Sequence, residues 1–123
     1  MSFDKENIIR SKSFAFGVEI VLLCKALQTN REFVLSKQLL KSGTSIGANV
    51  READNAESKM DFIHKMGIAQ KEADETIYWL ELLFAIKYIE EKTFNNLSSK
   101  AIELIKIIKA IIISTKKTLI INR

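Results

Sequence analysis

The segment SGTSIGANVREA, residues 42–53, is the most informative part of the chain. Its residue types predict one helix with two glycines, Gly43 and Gly47, placed one turn apart. A glycine inside a helix costs about 1 kcal/mol relative to alanine, so helix propensity alone does not explain them. Because both glycines share a side with Ile46 and Val50, this side is expected to pack closely against a neighbouring element.

A polar strip borders that side of the helix. It is formed by Ser42, Ser45, Asn49 and Glu52, of which the last three are the expected contact residues. Because burying an unpaired carboxylate is expensive, we expect this strip to meet polar groups of the following helix, with Glu72 and Glu75 as the leading partners. The alternative is that the serine and the asparagine satisfy nearby backbone or side-chain groups inside a packed bundle.

The composition indicates one helical domain, residues 1–123. The chain is 47% apolar and 28% charged, which is enough for one modest core. It lacks proline and has four glycines, a composition typical of long helices. The single Cys24 has apolar neighbours, which suggests a small buried hydrophobe in a reducing compartment. Neither a signal peptide nor a membrane span fits the N-terminal region, so a cytoplasmic location without membrane association is expected.

Three short polar breaks divide the chain into four predicted helices. They begin near residues 4, 35, 58 and 93 and end near residues 28, 55, 88 and 120. At the third start, Ser58 and Asp61 have the spacing of a capping box. Since short connections join antiparallel neighbours, the predicted fold is all-α, an antiparallel up-and-down four-helix bundle.

Each predicted helix carries apolar residues at helical spacing. The first helix has two neighbouring stripes, one through Ile8, Val18 and Leu22 and the other through Ile9 and Phe16. Together they predict a wide buried face. In the third and fourth helices the apolar positions alternate by four and three, which is typical of bundle helices that pack at a shallow angle.

The third and fourth helices carry more apolar surface than one four-helix core can bury. Exposed apolar surface of this extent marks an interface, so we expect a homo-oligomer. The candidate interface residues are Ile68, Trp79, Leu82, Ile86, Ile102, Ile107 and Ile113.

The positive charge is concentrated near the C-terminus. The net charge is +4, and residues 93–123 hold six Lys/Arg against one acid. This asymmetry favours an acidic partner such as RNA or DNA, whereas the competing interpretation is a lysine-rich face that only aids solubility. The candidate nucleic-acid-binding residues are Lys106, Lys109, Lys116, Lys117 and Arg123.

The residue types of the chain give little support for a catalytic site or a metal site. Di-iron carboxylate bundles need two Glu-x-x-His pairs and two further glutamates. The residues that invite this comparison are Glu52, Glu72, Glu75 and the pair Asp61 and His64. This chain has one histidine, and its serines lack the neighbours of a nucleophile triad. We therefore predict no enzymatic activity, no metal, no cofactor and no small-molecule substrate. The alternative to a nucleic-acid-binding adaptor is a structural or protein-interaction module that docks a partner protein.

The sequence of residues 38–53 and 61–80 resembles that of a known bacterial protein family. These segments contain the runs QLL and SIGAN and the long third helix, and they occur in the order and spacing of four-helix-bundle proteins first named for reading frames inside intervening sequences of 23S ribosomal RNA genes. The resemblance covers roughly residues 12–89 and implies a cyclic pentamer. It also marks Ser45, Asn49 and Glu52 as family-motif positions.

That family is similar in structure to the accessory variability protein of diversity-generating retroelements. The latter is a five-fold barrel that engages nucleic acid and a reverse transcriptase. This second resemblance implies a nucleic-acid-binding role. No catalytic residues are established for the family, so the resemblance implies a fold and an assembly but no reaction.

Overall fold

Four long helices make up the structure, a computed structural model that describes residues 3–121, with side chains for residues 5–120. They are α1 (Phe3–Thr29), α2 (Val34–Asp54), α3 (Lys59–Ala85) and α4 (Glu91–Ile121). Each helix packs antiparallel to the next, and α4 closes the bundle against α1. The predicted all-α antiparallel four-helix bundle is confirmed.

The core is built from one apolar stripe on each helix. On α3 and α4 the stripes alternate by three and four residues, as predicted. No helix among the described residues is apolar over enough of its length to cross a lipid bilayer. The buried stripe of α3 contains Met66, Ala69, Ala73, Thr76, Leu80 and Leu83, and that of α4 contains Leu97, Ala101, Leu104, Ile108 and Ile111.

The first helix buries a narrower face than predicted. Ile9, Phe16 and Ile20 lie in the core, whereas Val18 and Leu22 of the second stripe are exposed. The reason is that α2 and α4 cover only one side of α1, and Val18 and Leu22 lie at the outer edge of its contact with α2. One side of α1 is therefore apolar but uncovered.

Two helices end in the same left-handed turn. Arg31 follows α1 with φ 65°, and Lys87 follows α3 with φ 64°. In the second case the amide of Tyr88 donates to the carbonyl of Leu83 at 2.9 Å, which is the bond of a Schellman motif. This turn stops α3 at Ala85, earlier than predicted.

One predicted helix cap is confirmed and one helix start is shifted. Ser58 Oγ accepts a 3.0 Å hydrogen bond from the amide of Asp61, so the predicted cap of α3 is confirmed. The fourth helix begins two residues before the predicted Thr93. The helix starts earlier because the amide of Phe94 donates to the carbonyl of Glu90 at 3.0 Å, which is a helical hydrogen bond ahead of Thr93.

The two glycines of α2 face α1 at close range. A Cβ atom placed on Gly43 would lie 2.7 Å from Ile20 Cγ2, and one placed on Gly47 would lie 3.4 Å from the carbonyl oxygen of Ser13. The predicted close packing against this side of the helix is therefore confirmed, and α1 is the element that packs there.

Candidate interaction surfaces

A buried hydroxyl pair joins α2 to α3. Ser42 Oγ and Thr76 Oγ1 lie 3.0 Å apart and share a hydrogen bond, and Thr76 Oγ1 also lies 2.7 Å from the carbonyl oxygen of Glu72. Both side chains are buried. This pair was not predicted, although Ser42 belongs to the polar strip that borders the packed side of α2.

The family-motif residues of α2 bond within their own helix. Ser45 Oγ donates to the carbonyl of Lys41 at 2.6 Å, and Asn49 Nδ2 donates to the carbonyl of Ser45 at 2.8 Å. The expected pairing with Glu72 and Glu75 is therefore wrong for these two side chains. A short polar side chain reaches the carbonyl one turn earlier without crossing to α3, which is the alternative that the sequence left open.

Glu52, the third expected contact residue of the strip, does meet a polar group of α3, but its partner is a lysine and neither Glu72 nor Glu75. Glu52 forms an exposed ion pair with Lys65 at 3.6 Å. Partial burial raises the pKa of Glu72, and repulsion from Glu75 raises it further, against the opposing charge of Lys41. Within residues 5–120, no three His, Cys, Asp or Glu side chains are grouped to hold a metal ion.

The predicted interface residues fall into two classes of exposure. The half-buried ones border the core, and Trp79 Nε1 is buried with no hydrogen-bond partner in the described part of the chain. The exposed ones lie on the outer surface, where they contribute uncovered apolar area. Ile68, Trp79, Leu82 and Ile107 are half-buried, and Ile86, Ile102 and Ile113 are exposed.

The predicted basic residues share the outer face of α4. Lys106, Lys109, Lys116 and Lys117 are all exposed and fall within an arc of about 100° around the helix axis. In the described region none of the four forms an ion pair. Arg123 lies outside the described residues. We call the four lysines the α4 basic face.

Apolar side chains are interleaved with this basic face. Ile102, Ile113 and Ile120 are exposed on the same side of α4, and Ile113 leaves 56% of its surface in solvent. Ile102 and Ile113 were predicted to lie off the core stripe, and in the structure they lie among the lysines together with Ile120.

An apolar groove between α1 and α2 was not anticipated. It has a volume of about 410 Å³ and is lined on α1 by Phe14, Val18 and Leu22 and on α2 by Ala48 and Arg51. The guanidinium of the arginine lies over the phenylalanine ring, 5.5 Å from its centroid. The second apolar stripe of α1 was the signal for this surface, which we call the α1–α2 groove.

Fold and surfaces together define a small four-helix-bundle protein whose distinguishing features are its outer faces. The chain belongs to the 23S rRNA-intervening sequence protein family, whose model matches residues 5–110. The predicted family is thereby confirmed. No match was found among curated proteins.

A crystal structure of a similar protein supports the same assignment. That protein has unknown function and comes from the S23 ribosomal protein family of Bacteroides thetaiotaomicron VPI-5482. The two sequences are 50% identical, and the match covers 88% of this chain and 97% of the other with a TM-score of 0.86.

Proposed function

We propose that this chain is a non-enzymatic, homo-oligomeric adaptor that binds nucleic acid through the α4 basic face. The observation that carries the proposal is four exposed lysines on one side of one helix with no acidic partner in the described region. Lys100, elsewhere on α4, is held by Glu19 at 2.8 Å. Lysines without such a partner are available to phosphate oxygens.

Assembly makes these contacts collectively useful. The exposed Ile86, which directly follows α3, and the exposed Ile102 and Ile113 of α4 favour a homo-oligomer, and the family resemblance implies a cyclic pentamer. Five copies of a chain with net charge +4 carry a formal charge of about +20. Weak phosphate contacts repeated around one ring add up through multivalency.

RNA is the first ligand to test. The family is named for intervening sequences in 23S rRNA, and the similar crystallised protein is described as a member of a ribosomal protein family. A duplex or single strand of either nucleic acid offers the same phosphate charge, so DNA serves as the comparison.

The non-enzymatic part of the proposal is supported by the state of the one thiol. Cys24 is buried and donates to the carbonyl of Ser36 at 3.3 Å. Burial raises the pKa of this thiol to about 11. Because the thiolate is the nucleophilic form, such a cysteine is structural.

A protein-docking module is the second candidate function. The exposed Ile102, Ile113 and Ile120 among the lysines favour an amphipathic partner that offers both apolar and acidic side chains. Such a partner would bind the same side of α4. The two candidate functions therefore differ in what binds the α4 basic face, nucleic acid in the first and a protein in the second.

The test begins with the mass of the purified protein by light scattering. The oligomer is then titrated with labelled RNA and DNA at low and high salt. We expect binding at low salt that weakens as salt rises, and its loss in the double variant Lys109→Glu with Lys116→Glu. The matched control, Lys87→Glu with Lys92→Glu, makes the same charge change near the start of α4 and should still bind. A monomer, or no binding at low salt, would reject the proposal.

A further inference from the structure

The outer side of α1 is an apolar surface that the proposed function does not use. Phe14, Val18 and Leu22 follow one another at four-residue spacing and form one wall of the α1–α2 groove. The first and the last each leave 59% of their surface exposed. A helix that is apolar on its inner and outer sides is typical of one that is covered on both.

Gly17 lies in this groove without a packing reason inside the chain. A Cβ atom placed on it would meet nothing within 4 Å, in contrast to the crowding at Gly43. A glycine in the middle of a helix weakens that helix, and the open space above Gly17 leaves room in the groove for a side chain from outside.

The surroundings of the groove are positively charged. Arg10 and Arg51 line it, and Lys25 and Lys37 are exposed on the same sides of α1 and α2. Arg10 is held by Asp54 at 2.9 Å, whereas Arg51 forms no ion pair among the described residues. The groove therefore suits an apolar ridge that carries acidic side chains.

The outer side of α3 is such a ridge. Tyr78, Leu82 and Ile86 follow one another at the same four-residue spacing, and Tyr78 leaves 54% of its surface exposed. Three exposed carboxylates, those of Asp74, Glu75 and Glu81, flank this line and outnumber the one exposed lysine on it, Lys71. We call these three apolar residues the α3 ridge.

We infer that the α1–α2 groove of one copy receives the α3 ridge of a second copy of this chain. The inference rests on the homo-oligomer part of the proposed function and adds how the copies meet. Every copy carries one groove and one ridge on different helices, so the contact is head-to-tail. A head-to-tail contact closes into a ring when its rotation allows.

Charge argues against each surface pairing with itself. A groove-to-groove contact would bring Arg51 of two copies together, and a ridge-to-ridge contact would do the same with Glu75 and Glu81. Like charges facing each other across an interface disfavour the complex, whereas groove against ridge brings opposite charges together.

The experiment places one glutamate in each surface of the full chain. Val18→Glu changes the groove and Tyr78→Glu changes the ridge, both at exposed positions where the bundle should still fold. The matched controls are Val34→Glu and Tyr88→Glu, which make the same changes at exposed sites outside both surfaces. Circular dichroism melts establish that all four variants are folded, and light scattering gives their masses.

A head-to-tail contact has a distinctive outcome. Val18→Glu alone and Tyr78→Glu alone should each be monomeric, because each solution then lacks one of the two surfaces. Mixed at equal and high concentration, they should form a dimer and nothing larger, since one intact ridge meets one intact groove. The two control variants should keep the wild-type mass.

Other masses would overturn the inference. If Val18→Glu keeps the wild-type mass, the groove is not the contact between copies. If the mixture stays monomeric, or if either variant alone is a dimer, groove and ridge do not bind each other. A wild-type monomer contradicts both this inference and the proposed assembly, whereas an oligomer that ignores RNA contradicts only nucleic-acid binding.

Discussion

Gly43 of α2 lies so close to Ile20 of α1 that a Cβ atom on the glycine would come within 2.7 Å of Ile20 Cγ2. We expect Gly43→Ala to lower the free energy of unfolding. Overpacking a buried contact costs about 1–3 kcal/mol, which exceeds the roughly 1 kcal/mol that alanine gains in helix propensity.

The matched control for this change is Gly67→Ala in α3. A Cβ atom there meets nothing within 4 Å, so the alanine should raise stability by about 1 kcal/mol. Urea unfolding at one fixed protein concentration measures both variants. Equal stability of the two alanine variants would show that the α1–α2 approach is looser than described.

The Ser42–Thr76 hydroxyl pair should matter more than the exposed polar strip. Thr76→Val removes one partner of a buried 3.0 Å hydrogen bond, and we expect it to lower stability by about 1–2 kcal/mol. Asn49→Leu removes only a bond to its own helix backbone and should change stability by less than about 0.5 kcal/mol. Thermal melts that rank the two variants the other way would contradict this account of the α2–α3 contact.

The left-handed residues after α1 and α3 offer a stabilising change. Arg31 and Lys87 have positive φ, which costs a non-glycine residue about 1 kcal/mol that glycine does not lose. Arg31→Gly and Lys87→Gly should therefore each raise the free energy of unfolding by about 1 kcal/mol. Arg31→Ala and Lys87→Ala are the controls for loss of the side chain and should give no such gain in denaturant unfolding.

Glu72 should make the fold less stable as the pH rises. Its pKa is raised from 4.5, first by burial and then by Glu75, so the folded state binds its proton more tightly than the unfolded state does. Stability is then lost as the pH rises from about 4.5 through the raised pKa, and the loss persists at neutral pH.

Glu72→Gln removes that loss. The variant should melt at a higher temperature than the wild type at pH 7, and the difference should vanish in acid below both pKa values. Glu75→Gln should recover part of the gain, because it removes the second cause of the shift. A pH-independent difference between Glu72→Gln and the wild type would assign the effect to packing.

Most of the fold follows from the sequence because its signals are local. The alternating stripes of α3 and α4 and the cap at Ser58 depend on spacing along one helix, and both were predicted. The outward stripe of α1 was not, because Val18 and Phe16 are equally apolar and only the arrangement of α2 and α4 selects which one is buried.

The surfaces were predictable only in part. Exposure of the α4 lysines follows from the core stripe on the opposite side of that helix. The sequence did not decide between two kinds of partner for Ser45 and Asn49, a group across the α2–α3 contact or a carbonyl of their own helix. In the structure both side chains bond to carbonyls of α2. The α1–α2 groove was not predictable, because its two walls come from different helices and their relative placement is not a local property of the sequence.

The central claim, that the α4 basic face of an oligomer contacts phosphates, is tested most directly by the salt dependence of RNA binding. For the wild type, the logarithm of the binding constant should fall linearly with the logarithm of salt concentration, with a slope of about −0.7 per phosphate contact on a single strand. Lys109→Glu with Lys116→Glu should bind more weakly at every salt and give a shallower slope, whereas Lys87→Glu with Lys92→Glu should keep the wild-type slope. Identical slopes for the wild type and the Lys109→Glu with Lys116→Glu variant would contradict the claim.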